Sequence, residues 1–404
     1  MGRLLFCSLA LVGSEFLTVP ATAQPALPGP MRVQESKPVT VKDAEFVAVA
    51  QTHWAPPTPD RMFAPVVPLD IQLRITNLSK SAVRFHTGNT FGVKILKADG
   101  KEVKPRSGCS GTILTRPILL PGGASYSLWR RAELRRDEKT KASELVYYDG
   151  TGSQSIIGPL ETGHYKLVFW YAVSTDRRTS PKSADVASWA GEVVTEEVPI
   201  ELVEETTRGL PIDIAEKRAP QVQKVVNEVL RIRESKPVTV KDAKFVVVAE
   251  SDWRLGKGDV PINIQLRITN VGKTDLLFRT FDTFGLSLLN ADAKRIEPTG
   301  GRSGTIFTRP IVIPKGASYS LCRKAELRWN SGANASELFY WDGTGSEVVF
   351  GPLNPGHYNL SFWYSTSLNP RPRALLRPER QRGDPPTWFG QAVTSNVLID
   401  LHDR

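Results

Sequence analysis

The chain carries the same ordered set of sequence segments twice, and this duplication constrains its fold more than any other feature. ESKPVTVKDA at 35–44 recurs at 234–243, and IQLRITN at 71–77 recurs at 264–270. SELVYYDGTGS and GHYKLVFWY return later as SELFYWDGTGS and GHYNLSFWY. The copies are far longer than the roughly 20–50 residues of a solenoid unit. We therefore expect two autonomous tandem domains, at 32–204 and 231–404.

A linker at 205–230 joins the two copies, and it carries a helical pattern. Its apolar residues are spaced i, i+3, i+4, i+7 and i+8, which is one face of a helix. We predict a short amphipathic helix on this face, formed by Val222, Val225, Val226, Val229 and Leu230.

Elsewhere the dominant pattern has a period of two. In 71–76 apolar and polar residues alternate, and the same alternation recurs at 264–268; such alternation is typical of half-buried strands. Tyr165 and Tyr358 each follow a Gly-His pair at the start of an alternating segment. A tyrosine there is typical of the corner of immunoglobulin-like sandwiches, where its hydroxyl bonds upstream backbone. The fold class predicted is all-β, with two Ig-like antiparallel β-sandwich domains in tandem.

One resemblance to a known family rests on three segments of the first copy. These are RITNLSKSAVRFHTGNTFGVKILKADGKEV, LPGGASYSL and ETGHYKL. They resemble the small sandwich domains of the intracellular proteinase inhibitor (BsuPI) type, over about half of each copy. The resemblance implies an Ig-like sandwich and, as an activity, protease inhibition. The closing Trp-x-Gly strand of each copy is similar to exported bacterial proteins of uncharacterised function.

The N-terminus has the pattern of an export signal. Arg3 precedes an apolar run at 4–13, and Ala21-Thr22-Ala23 is a small-residue cleavage site. We predict a signal peptide at 1–23 and a secreted, periplasmic or cell-envelope protein; the alternative is a frayed cytoplasmic N-terminus. No other stretch approaches the ~18 apolar residues of a membrane span, so none is predicted. Cys109 and Cys322 fall at non-equivalent positions, which predicts isolated thiols rather than an interdomain disulfide.

The chain is basic, with a formal net charge of +10. Such a balance could suit an anionic partner, but the favoured interpretation of the densest stretch is a solvated loop that keeps the protein soluble. No recognisable nucleic-acid-binding motif is present, and export argues against nucleic acid. The densest stretch contains Arg371, Arg373, Arg377, Arg380 and Arg382.

No segment has the pattern of a catalytic or metal site. Asp149 and Asp342 each begin DGTGS, which differs from the paired Asp-Thr-Gly loops of aspartic proteases by an inserted glycine. Asp-Gly between strands predicts a hairpin turn instead. His164 and His357 are paired by the repeat but lack nearby ligand residues. We expect no enzyme activity and no cofactor.

Two pairs of residues are candidates for binding. Trp170 and Trp363 occupy the outward face of their strands, where a tryptophan often marks a contact with a sugar or protein. Arg116 and Arg309 lie in a shared Thr-Arg-Pro and suit a carboxylate or sulfate. The alternative for the tryptophans is that a loop or the neighbouring domain covers each indole. The alternative for the arginines is that each is solvated at the end of a strand.

The sequence therefore predicts a non-enzymatic exported protein that binds a protein or polysaccharide, or has a structural role. Its place would be the cell envelope or the extracellular space. The alternative function is protease inhibition through an exposed loop, at 55–68 or 371–385.

Overall fold

The chain folds entirely from β-strands in the part that the structure describes. The computed structural model describes residues 30–403 except 57–65, 110–114, 138–139, 141, 150, 175–185, 205–228, 256–258, 281, 303–308, 343–345 and 367–384. The described residues contain no helix, so the all-β prediction is confirmed. The signal peptide and most of both candidate inhibitory loops lie outside the described residues, as do residues 222–228 of the predicted linker helix. Leu230, the last residue of its apolar face, begins a strand instead.

The two copies contain matching strands in the same order, except that β23 of repeat 2 corresponds to an isolated bridge, Leu96 to Glu102, in repeat 1. Repeat 1 consists of β1 (Met31–Glu35), β2 (Val39–Val41), β3 (Ala44–Gln51), β4 (His53–Trp54), β5 (Val66–Asn77), β6 (Val83–Phe85), β7 (Phe91–Lys97), β8 (Pro105–Cys109), β9 (Ile118–Leu120), β10 (Ser125–Arg136), β11 (Ser143–Tyr148), β12 (Gln154–Leu160), β13 (Gly163–Val173), β14 (Gly191–Val194) and β15 (Val198–Leu202). Repeat 2 consists of β16 (Leu230–Glu234), β17 (Val238–Val240), β18 (Ala243–Glu250), β19 (Asp252–Arg254), β20 (Val260–Asn270), β21 (Leu276–Phe278), β22 (Phe284–Asn290), β23 (Arg295–Ile296), β24 (Pro298–Arg302), β25 (Ile311–Ile313), β26 (Ser318–Asn330), β27 (Ala335–Trp341), β28 (Glu347–Leu353), β29 (Gly356–Thr366), β30 (Gly390–Val393) and β31 (Val397–His402).

Two large sheets each contain strands from both repeats. The first has the order β21-β25-β1-β3-β5-β10-β11-β12-β8, and the second has the order β24-β28-β27-β26-β20-β18-β16-β9-β6. Strand β1 runs parallel to β25 of repeat 2 and antiparallel to β3. Strand β16 makes the reciprocal pair with β9 of repeat 1. The sheets are therefore mixed, which corrects the prediction of purely antiparallel sheets.

Two smaller sheets lie on the outside. The outer sheet of repeat 1 has the order β14-β13-β15-β4, with β7 on the free side of β13. The outer sheet of repeat 2 has the order β19-β31-β29-β22-β23, with β30 on β29. Each outer sheet shares a hydrophobic core with a large sheet, so each has one buried and one outward face.

The repeats complete each other's hydrophobic cores. Repeat 1's core contains four side chains of repeat 2, and repeat 2's core contains three side chains of repeat 1. The expectation that each domain packs its core alone is therefore wrong. The reason is that β3 and β18 are buried on both faces, one face against each repeat. The exchanged residues are Leu230, Ile232, Val246 and Val248 in one direction and Val33, Val47 and Val49 in the other.

Equivalent residues meet at the junction, so the repeats are related by a local twofold axis. The Ser127 and Ser320 hydroxyls lie 2.9 Å apart. The Gln72 Nε2 donates to the Ser320 carbonyl at 2.9 Å, and the Gln265 Nε2 donates to the Ser127 carbonyl at 2.8 Å. These bonds satisfy polar groups that are buried from water.

Two carboxylates strengthen the same junction. Glu35 binds the guanidinium of Arg74 through both oxygens and also accepts the Ser318 backbone N–H at 2.6 Å. In the symmetric position, Glu234 binds Arg267 and accepts the Ser125 N–H at 2.5 Å. Each acid therefore holds a strand of its own repeat and one end of a strand in the other.

The corner tyrosines make the bonds that the sequence predicts. The Tyr165 hydroxyl donates to the Glu161 carbonyl at 2.8 Å and accepts the Glu161 N–H at 2.9 Å. Tyr358 makes the same two bonds with Asn354, at 2.8 and 3.1 Å. Both hydroxyls thus fix the turn that enters the long outer strand.

We predict that Tyr165→Phe lowers the free energy of unfolding by about 1–3 kcal/mol, because two backbone groups lose their partner. Urea titration at neutral pH measures the loss. Tyr147→Phe is the matched control: the Tyr147 hydroxyl is buried and has no hydrogen-bond partner in the structure, so its removal is expected to be neutral or stabilising. Equal losses in both variants would contradict the assignment.

Candidate functional site

Each outer sheet displays a tryptophan in the middle of a cross-strand row. Trp170 on β13 lies between Gly92 of β7 and Val194 of β14. Trp363 on β29 lies between Gly285 of β22 and Val393 of β30. We call these two sets of three residues the tryptophan rows. Both indoles are half-buried, on the outward face that the sequence predicts.

The glycine in each row seats the indole. A Cβ on Gly92 would come within 2.6 Å of Nε1 of Trp170, and one on Gly285 within 2.6 Å of Cζ2 of Trp363. Any larger residue would push the ring away from the sheet. On the other side, Val194 is 48% and Val393 61% exposed. Each row is thus an apolar strip in contact with solvent, built around an indole that the sheet holds in place.

Arg116 binds a carboxylate of its own chain. Its Nη1 lies 3.0 Å from Oε1 of Glu250, and its Nη2 donates to Oε2 at 3.3 Å. Glu250 belongs to repeat 2, so the ion pair crosses the junction. Burial raises the pKa of Glu250 to about 7, while the Arg116 charge acts in the opposite direction.

The backbone of Arg309 makes the same hydrogen bond as that of Arg116, but the residue equivalent to Glu250 in the other repeat is not an acid. The Arg309 carbonyl accepts the Thr280 hydroxyl at 2.8 Å, as the Arg116 carbonyl accepts that of Thr87. The position equivalent to Glu250 in repeat 1 is Gln51, an amide. Both arginines precede strands of the large sheets, whereas both tryptophans lie in the outer sheets, so the structure does not bring the four candidates into one cluster.

A second buried carboxylate at the junction escaped the sequence analysis. Asp70 accepts a hydrogen bond from the Tyr319 hydroxyl of repeat 2 and one from Gln72 Nε2 at 3.1 Å. Burial raises the pKa of Asp70, against the effect of these bonds. One sequence signal points to both acids. Gln51 of repeat 1 aligns with Glu250 of repeat 2, and Asp70 of repeat 1 aligns with Asn263 of repeat 2. At each position one repeat has an acid and the other has an amide.

Each DGTGS segment joins two strands that pair as an antiparallel hairpin, as predicted; Gly150 and residues 343–345 lie outside the described residues. One oxygen of Asp149 accepts the Thr151 N–H at 2.8 Å, the Thr151 hydroxyl at 2.7 Å and the Ser153 N–H at 2.9 Å. Asp342 accepts the Ser346 N–H at 3.0 Å. In both repeats the aspartate at the end of the first hairpin strand thus accepts a backbone N–H just before the second strand.

The histidines and the thiol lie at dispersed positions. His164 is exposed, and His357 Nδ1 lies 2.8 Å from Oδ1 of Asp400 at the surface. The described residues contain no group of three or more metal-binding side chains. Cys322 is a free thiol whose pKa is raised by burial, and the side chain of Cys109 lies outside what the structure describes. In the described ranges, no helix is long and apolar enough to cross a membrane.

No protein-family model matches this chain, and no curated protein matches it in sequence.

Proposed function

We propose that this chain is an exported, non-enzymatic binding protein of the cell envelope or the extracellular space. Its two Ig-like sandwich units would present the tryptophan rows to a protein or polysaccharide partner. The observation that carries the proposal is the repetition of Gly92-Trp170-Val194 as Gly285-Trp363-Val393 on the outward faces. An exposed apolar strip on a monomer surface commonly marks an interaction site.

The rigidity of the sheets that carry the tryptophan rows supports a binding role. The corner tyrosines fix the strands that carry the indoles, and the shared cores limit motion between the repeats. A surface that is held in one conformation loses little entropy when a partner binds. The pairing of a large sheet with an outer sheet, together with the corner tyrosines, supports the Ig-like description.

Protease inhibition stays a prediction from the sequence. It would act through 55–68 or 371–385, and most of both segments lies outside the described residues.

The test compares binding of the wild-type chain and variants to the cell-envelope fraction and culture supernatant of the producing organism. We expect Trp170→Ala with Trp363→Ala to reduce the bound fraction about tenfold or more, the usual loss for a central aromatic contact. Leu78→Ala with Val271→Ala is the matched control, since these residues are also equivalent, apolar and exposed, at 50% and 48%. Equal binding by both double variants would refute the proposal.

A further inference from the structure

We propose that the tryptophan row of repeat 2 is a binding site for a neutral carbohydrate chain, and that the row of repeat 1 is not. This inference rests on the proposed function and adds the class of ligand. It starts from a difference between two surfaces that share the same tryptophan, glycine and valine.

The surface around Trp170 is charged and paired. Lys166 Nζ lies 2.7 Å from Oε2 of Glu197, and Lys94 Nζ lies 3.6 Å from Oε2 of Glu102. Glu192 adds a further charge next to Val194. A neutral ligand here would have to displace water from charged groups or break these ion pairs, and both cost free energy.

Next to Trp363, most of the charged side chains of repeat 1 are replaced by neutral ones. Ser287 stands in place of Lys94, Asn359 of Lys166, Gln391 of Glu192 and Asn396 of Glu197. Four of the five charges named in repeat 1 are thus replaced by a hydroxyl or an amide; the fifth, Glu102, corresponds to Arg295, whose Nε lies 3.4 Å from Oε1 of Glu297 at the edge strand β23. None of these four side chains makes a hydrogen bond with the described part of the chain, so their donors and acceptors are available to a ligand.

These groups suit a sugar chain. An indole face packs against the apolar C–H face of a pyranose, and amide and hydroxyl groups exchange hydrogen bonds with sugar hydroxyls. Asn359 lies four residues from Trp363 on the same strand face, which is about 13 Å at the rise of a β-strand. Leu398, 42% exposed, pairs with Asn359 and adds a second apolar platform. The buried Ser361 separates the two platforms, so a short oligosaccharide, rather than one sugar, is needed to contact both.

Isothermal titration of the full-length mature chain with cellohexaose, maltohexaose and the hexamer of N-acetylglucosamine tests the inference. We expect at least one to bind at millimolar concentration or below. Trp363→Ala should weaken that binding about tenfold or more, about 1.4 kcal/mol, whereas Trp170→Ala should leave it unchanged. Both tryptophans are surface residues in equivalent positions, so each variant controls for the other.

A second variant exchanges the surroundings and keeps the indole. Ser287→Lys, Asn359→Lys, Gln391→Glu and Asn396→Glu together place four of the charges of repeat 1 on repeat 2, and binding should again fall about tenfold. Failure of all three sugars to bind, an equal loss in Trp170→Ala, or unchanged affinity in the fourfold variant would overturn the inference. If sugars fail while the double tryptophan variant still loses envelope binding, the proposed function stands and the ligand class is refuted.

Discussion

Repeat 1 produced alone, as residues 24–204, is expected not to form a stable monomer. It would lack strand β16 and the four side chains that repeat 2 contributes to its core. Burying an aliphatic side chain contributes about 1.5–3 kcal/mol, so their loss removes about 6–12 kcal/mol. A whole domain is stable by only about 5–15 kcal/mol. The isolated repeat should therefore be unfolded, or should pair with a second copy of itself about the same axis.

Light scattering after gel filtration, with circular dichroism, measures this outcome. The control is the full chain carrying a protease site within 205–228 and cleaved after folding. Its two halves should stay together without a covalent link, because the exchanged strands and shared cores are intact. A folded, monomeric repeat 1 would show that the shared core is dispensable.

The second large effect concerns the buried carboxylate of Glu250. Its pKa in the folded chain is about 7, above the ordinary value of 4.5. Between these two values the folded state keeps a proton that the unfolded state releases, so stability falls as pH rises through this window. The difference corresponds to about 3 kcal/mol. Glu250→Gln is expected to remove this part of the pH dependence and to make the protein more stable than wild type at pH above 7.

Arg116 sets how costly the ionised form is. Above pH 7 its guanidinium is the charged partner of Glu250 at 3.0 Å. In Arg116→Ala the carboxyl of Glu250 takes up a proton instead of staying buried and unpaired, so at pH 8, one unit above its pKa of about 7, the loss tied to ionisation is about 1.4 kcal/mol. The cost should be small at low pH, where Glu250 is protonated, and small in the Glu250→Gln background.

Urea titrations at pH 4.5 and pH 8 on wild type, both single variants and the double variant measure the free energy of unfolding. They give the pH dependence due to Glu250 and the cost of removing Arg116. The double-mutant cycle isolates the Arg116–Glu250 interaction from other titrating groups. Asp70, whose pKa is also raised by burial, contributes a loss of the same sign, and Asp70→Asn isolates it. An unchanged pH dependence in Glu250→Gln would contradict the role given to this carboxylate.

Patterns within a few residues were sufficient to predict several structural features. The alternation in 71–76 places Ile71, Leu73 and Ile75 in the core, and all three are fully buried. The Gly-His-Tyr corner and the hairpin pairing on either side of DGTGS form as predicted, because their bonds join residues two to four positions apart. One signal was present but not used: AEFVAVA at 44–50 is a nearly continuous apolar run, which is typical of a strand buried on both faces.

The sequence by itself determined the duplication, the all-β class, the inward faces of the strands and the outward position of Trp170 and Trp363. These follow from period-two alternation and short-range turn bonds, both of which act within a few residues. Only the tertiary structure decided that the first strand of each repeat also pairs with a strand of the other repeat. It also decided that Val47 and Val49 lie in the core of the other repeat and that Arg116 contacts Glu250. Those contacts join positions more than a hundred residues apart. Because the chain is duplicated, each such residue has two equivalent possible partners, one in each repeat, that fit the local sequence pattern equally well. The choice between them depends on how the sheets pack.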